Sequence, residues 1–171
     1  EVDLLADPSI DAVDIATPIE THYQITQDAL LAGKHVLVEK PMATSLHHID
    51  ELISIAREKG LRLMAGHTFL YSPPVLKAAE LIHAGVLGKV EAVFMKRNNL
   101  GRYKKTGSVL WDLSPHDISI LDYWLGEHPV AVQATGVGFT VDGVCDMAVM
   151  TLWFPSSAMA SVQLSWKSPL K

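Results

Sequence analysis

At 171 residues, 49% of them hydrophobic and 19% charged, the chain has the composition of a globular protein able to bury a core, not of a disordered segment. A formal net charge of -5 with no Lys/Arg cluster argues against a nucleic-acid or acidic-membrane surface, because phosphate binding needs concentrated positive charge. No apolar run approaches the roughly 20 residues of a bilayer span, the lone Cys145 excludes an intrachain disulfide and reads as core packing, and a cytoplasmic, reducing compartment is expected.

In chain order, Ala12 to Thr17 (AVDIAT) is a short β-branched run stopped by Pro18, the pattern of a buried parallel strand. Glu20 to Ala32 has helical spacing and ends at Gly33-Lys34. His35 to Val38 is a second strand, closed by Glu39-Lys40-Pro41; Ser45 then caps a helix that runs to Gly60, and Leu61 to Ala65 is a third strand. Strand and helix alternating at this pitch predict right-handed crossovers and a parallel sheet covered on both faces.

After Gly66 the rhythm changes. A helix is expected over Val75 to Ala84, a strand over Val90 to Lys96, a polar, basic and mobile loop at 101–107 (GRYKKTG), and a helix over Ser114 to Leu125. Strands at Val130 to Thr140, Met147 to Phe154 and Ala158 to Trp166 are separated by turn residues, predicting an antiparallel sheet with a helix on it. The expected division is a parallel α/β part at 1–66 and an α+β part with an open, mostly antiparallel sheet at 67–171. Met, Leu, Val, Phe and Trp at both parities of the last two strands are too many for a face left in water, and predict a dimer or tetramer.

Three motifs occur in order. They are Ala16-Thr17-Pro18 through His22 to Gly33-Lys34-His35-Val36-Leu37-Val38-Glu39-Lys40-Pro41, then Gly66-His67-Thr68-Phe69-Leu70-Tyr71-Ser72-Pro73, then Trp111-Asp112-Leu113-Ser114-Pro115-His116-Asp117. Together they resemble the glucose-fructose oxidoreductase, inositol dehydrogenase and rhizopine-catabolism (Gfo/Idh/MocA) family over essentially the whole chain. The resemblance implies an α/β chain, the later part of a Rossmann sheet followed by an α+β domain. It implies an NAD- or NADP-dependent oxidoreductase of sugars or nucleotide sugars, with Lys40, Asp112 and His116 catalytic. Thr17, Pro18, His22, Glu39 and Lys40 would lie on the cofactor; Tyr71, Arg97, Asn99 and His116 would face the substrate. Ile19 and His67-Thr68 depart from the commoner pattern; the Gly66-His67-Thr68 form and the Leu110 to Asp117 form (LWDLSPHD) resemble the branch acting on C3 of nucleotide-linked amino sugars. No Gly-x-Gly-x-x-Gly occurs, although the family holds its pyrophosphate there, so the first strands and their glycine loop are expected upstream of Glu1, and the sheet is expected to continue past Pro169.

The chemistry can be argued apart from the resemblance. Lys40 follows the carboxyl end of a strand, where open parallel sheets bind ligands, and Pro41 keeps it extended. Its ammonium can donate to a ribose and to a reacting hydroxyl, stabilising a developing alkoxide. Taken alone, a Lys-Pro is more often a solvated strand end. Ser114 reads as an N-cap, Pro115 as the first helical residue and Asp117 as the acidic partner of a capping box, placing His116 in a first turn whose dipole keeps the ring neutral and able to take a proton. Asp112, just outside that helix, would orient the ring or take part in the proton relay. The alternative is a structural histidine. Tyr71 and Arg97 are as well read as structural, and His47, His48, His83 and His128 fall on positions read as exposed. No His-Glu-x-x-His or Cys-x-x-Cys spacing indicates a metal. Rival readings are a non-catalytic relative of the same fold, which would have no need of Lys40, Asp112 and His116 together, and a reductase of a non-sugar ring.

Overall fold

The computed structural model describes residues 2–101 and 107–169, which divide into two units, Glu1–His67 and Thr68–Lys171. In the first, a short helix α1 (Val2–Ala6) precedes strands β1 (Ala12–Ile15), β2 (His35–Glu39) and β3 (Leu63–Gly66), joined by helices α2 (Ile19–Leu31) and α3 (Leu46–Glu58). The strands pair in parallel in the order β1-β2-β3. Because the order advances in one direction, right-handed crossovers place both helices on the same face. There Ile15, Val36 and Val38 bury against Ala29, Leu30, Leu52 and Ala56. Leu37 and Met64, paired on the other face, are exposed. Covering by helices on both faces, expected from sequence, is thus found on one face among the described residues. Ser45 occupies the N-cap of α3, but its hydroxyl makes no capping bond.

The second unit opens with a 3-10 turn (Thr68–Tyr71) and α4 (Pro73–His83), then β4 (Ala92–Asn98), α5 (Val109–Leu125), β5 (Ala131–Val137), β6 (Met147–Trp153) and β7 (Met159–Ser165). The sheet order is β4-β7-β6-β5; β6 is antiparallel to both neighbours, and β4 is parallel to β7. Two of the three pairings are antiparallel, as the mostly antiparallel expectation has it; which strand would pair in parallel was not legible, since a strand's partner is set by tertiary packing and leaves no local signal. α5 packs across β7 and β6, burying Val109, Leu113 and Leu121 against Ala148, Met150, Leu152, Val162, Leu164 and Trp166. The connection between β5 and β6 packs closely on β5: a Cβ at Gly136 would collide with Cys145 Sγ. Most of the loop expected at 101–107, residues 102–106, lies outside the described residues.

The start of α5 also differs from expectation. The helix begins at Val109, with the Ser108 hydroxyl accepting from the Trp111 N–H at 3.4 Å, so Pro115 is interior and His116 lies mid-helix. An interior proline costs about 3 kcal/mol. Burying Val109 and Leu113 returns roughly 1.5–3 kcal/mol each, enough to carry the helix through it. The Ser114-Pro115 pair had the form of a helix start without being one. The dipole argument for a neutral His116 therefore falls, because that field fades beyond the first turn.

Candidate active site

In the first unit the expected residues gather at the carboxyl ends of parallel strands. Thr17 and Pro18, both exposed, lie just past β1; Glu39 ends β2 and Lys40 follows it, half-buried, with its backbone N–H donating to Glu39 Oε2 at 3.2 Å. The Lys40–Pro41 peptide is cis. Gly66 ends β3 opposite Glu39, so the three strand ends are level.

His22, in the first turn of α2, ties these ends together. It is 2% exposed, with Nε2 at 2.8 Å from the Thr17 carbonyl oxygen and Nδ1 at 2.8 Å from that of Pro41. Both nitrogens are thus engaged with the backbone of the turns that carry Thr17 and Lys40. Sequence reasoning also missed Lys34, whose buried ammonium donates to the carbonyls of Asp7 and Ile10 at 2.7 and 2.8 Å and fixes the loop before β1. Its place after Gly33, at a helix end, had suggested only a terminator.

In the second unit Asp112 and His116 stand four residues apart on α5, one helical turn, and so share a face. Asp112 lies inside the first turn of the helix, not before it, and accepts from the indole Nε1 of the fully buried Trp166 at 3.0 Å. The His116 ring meets Phe69 edge to face, with centroids 4.7 Å apart and planes at 68°. Arg97, near the end of β4, donates from Nε and Nη2 to the Asp117 carboxylate at 2.8–3.0 Å, and its guanidinium carbon stands 4.3 Å from the Phe69 centroid. Asp117, expected as a capping residue, is instead a buried acceptor. Tyr71 is exposed at the end of the 3-10 turn, and the Asn99 N–H continues the β4–β7 ladder by donating to the Ser165 carbonyl. His48, expected exposed, is half-buried and stacks on Tyr23 at 3.8 Å between centroids.

A cavity of about 380 Å³ opens on the sheet face away from α5, lined in part by Lys96, Asn98, Thr135, Val149 and Gln163, and contains none of the expected site residues. Among the described residues there is no cluster of three or more His, Cys, Asp or Glu placed for a metal, and no helix long and apolar enough to cross a membrane.

Comparison with known proteins gives two family matches: residues 2–67 to an oxidoreductase family NAD-binding Rossmann fold, and residues 75–171 to the GFO/IDH/MocA C-terminal domain. An uncharacterized oxidoreductase, YrbE, of Bacillus subtilis is 31% identical over 95% of this chain and 51% of its own length. The UDP-N-acetylglucosamine 3-dehydrogenase of Acidithiobacillus ferrooxidans is 31% identical over 91% of this chain and 49% of its own. A crystal structure of scyllo-inositol dehydrogenase from Lactobacillus casei, with bound NAD(H) and scyllo-inositol, shares the fold with a TM-score of 0.87 at 21% identity, covering 97% of this chain and 52% of that one. The chain spans about half the length of the curated relatives it matches.

Proposed function

We propose, for a chain that belongs to the GFO/IDH/MocA oxidoreductase family, that the protein carrying it transfers hydride between a ring hydroxyl of a sugar or nucleotide sugar and NAD or NADP. The observation that carries this reading is the placement of Lys40 directly after the carboxyl end of β2, level with the ends of β1 and β3, where open parallel sheets take their ligands. The residues present fit the nicotinamide end of a dinucleotide. Thr17 and Pro18 offer an exposed edge and Lys40 an ammonium donor, while the glycine loop for the pyrophosphate is not among the 171 residues. Glu39 sets the Lys40 backbone through its carboxylate, and His22 bears on the cofactor side through the two turns it joins.

When bound, the nicotinamide supplies the hydride acceptor or donor. The chain's own residues handle the oxygen and its proton. The Lys40 ammonium donates to the reacting oxygen and stabilises the negative charge that grows on it. His116 takes the hydroxyl proton, an imidazole being the side chain suited to that task near neutral pH. Asp112, one turn before it on the same helix face, orients the ring, and Tyr71 and Asn99 approach the substrate. The 3-dehydrogenase relative supports a nucleotide-linked amino sugar oxidised at C3.

The sheet face away from α5 supports self-association. Phe94 on β4 is 77% exposed, and Met147, Val149, Trp153 and Val137 are also exposed on that face. A second copy covers it, giving a dimer or a tetramer built from dimers. The lone cysteine supports a reducing, cytoplasmic setting.

The test is a spectrophotometric assay of nicotinamide reduction by the product of the complete reading frame, offered inositols, free sugars, UDP-linked amino sugars and non-sugar rings. Turnover with a sugar or nucleotide sugar is expected. Cofactor binding without turnover of any of them would favour the non-catalytic reading, and turnover of a non-sugar ring alone would replace the substrate class.

A further inference from the structure

We infer that Arg97 is a positioning residue for His116, acting through Phe69 and Asp117, and that it is not available to a ligand. The inference rests on the reading of His116 as proton acceptor. Arg97 is spent on Asp117: three contacts of 2.8–3.0 Å join its Nε and Nη2 to a carboxylate that is 1% exposed. The arginine side chain is itself only 19% exposed. Turning that guanidinium toward a substrate would strand a buried carboxylate without its donors, an arrangement far costlier than any single surface contact returns.

The contacts also close on themselves. Asp117 is the residue next to His116 along α5; its carboxylate holds Arg97, the guanidinium carbon stands over the Phe69 ring, and the edge-to-face contact returns from Phe69 to the His116 imidazole. His116 is therefore gripped twice, at its backbone through Asp117 and at its ring through Phe69. Each contact prefers one geometry: the bidentate pair fixes the guanidinium, the cation over its face restrains the aromatic ring, and the ring limits the second torsion of the histidine.

Pro115 gives the brace a reason. Lacking an N–H, it takes one rung out of the α5 ladder one residue before His116, at the point where a proton acceptor must be held still. The ion pair to β4 restores at Asp117 the rigidity that the proline removes. Phe69, partly exposed in a 3-10 turn, would otherwise have room to move.

The experiment compares Arg97→Lys, Phe69→Leu and Phe69→Tyr in the product of the complete reading frame, with His116→Asn as reference. Arg97→Lys keeps a cation for Asp117 and so protects folding, but removes the planar fork and the stacked face. Arg97→Lys and Phe69→Leu should each lower kcat roughly tenfold with KM within about twofold, as loss of alignment does, while Phe69→Tyr stays near the parent. Independently of turnover, the His116 ring signals in carbon-labelled histidine NMR should lose their contacts to residue 69 and broaden in Arg97→Lys and in Phe69→Leu. If Arg97→Lys lowers the melting temperature but leaves kcat and the ring signals unchanged, the pair is merely structural and the inference falls. A His116→Asn variant that retains its rate would instead overturn the proton-acceptor reading, and the ring signals would still decide whether Arg97 holds His116. A rise in KM alone on Arg97→Lys would return Arg97 to the substrate.

Discussion

The imidazole of His22 lies 2.8 Å from the carbonyl oxygen of Pro41, across the 19 residues that separate them, and its other nitrogen holds the Thr17 carbonyl at the same distance. One buried side chain thus spans the ends of two strands. His22→Leu keeps the bulk and removes both ring nitrogens, leaving at least one carbonyl without its N–H donor at a cost of about 1–3 kcal/mol. The melting temperature should drop by several degrees, with His22→Gln falling between the two. Thermal unfolding followed by circular dichroism checks this; a Leu variant that melts with the parent would remove the clamp.

His116 and Lys40 should fail in different ways. His116→Asn replaces one residue by another of similar helix propensity, so α5 should persist despite the change at its middle. Turnover should fall about a hundredfold or more, the usual worth of a positioned base, with cofactor affinity nearly unchanged. Lys40→Ala should lower turnover and weaken cofactor binding together, because one ammonium serves both. Steady-state kinetics with fluorescence titration of the reduced cofactor separates the two patterns. Intact turnover in His116→Asn would send the search for the base to Lys40 or Tyr71.

How far the sequence carried depends on whether the signal was local. β1, α2, β2, α3 and β3 were legible because apolar periodicity and the glycines at 33 and 60 mark each boundary within the segment itself. The start of α5 was misread because Ser114-Pro115 carries the chemistry of a helix start, whereas the burial of Val109 and Leu113 that extends the helix is a tertiary effect. The contacts of Arg97 with Asp117, of His22 with Pro41 and of Lys34 with Asp7 join residues 19 to 27 positions apart. In each, geometry settles a partner that spacing along the chain does not encode. The burial of Asp117, visible only in the fold, is what demands a partner for its charge.

The face carrying Phe94 and Val149 should associate. Light scattering on the product of the complete reading frame should give at least twice the protomer mass at micromolar concentration. Phe94→Glu with Val149→Glu places charges on two exposed positions of that face, which should yield a folded monomer. A parent protein that is already monomeric would rule out this interface.

Acid should act partly through Asp146. The backbone N–H of Phe139, helped by Thr140 and Lys167, holds its carboxyl below the usual carboxylate range against the opposing effect of burial. A depressed folded value means that the ionised carboxylate stabilises the hairpin at neutral pH. The contribution is complete above the unfolded value of about 3.9 and is lost as pH falls through the lower folded value. Asp146→Asn should therefore melt below the parent at neutral pH, and the gap should narrow below about pH 4. Paired melting curves down the pH scale test the sign; a gap that widens with acid would contradict it.

The parallel pairing of β4 with β7 sets an order of events during synthesis. Arg97 stands opposite Leu164 in the register, with α5, β5 and β6 lying between them in the chain. A ribosome completes β4 and exposes it long before its neighbour exists, so for that interval the nascent strand has an unpaired edge and Phe94 has no sheet to join. Contacts this distant in sequence form late and slowly. The turn carrying Phe69 and the helix carrying His116 are made early, yet the arginine that holds both is locked in place only when β7, the last strand described, arrives.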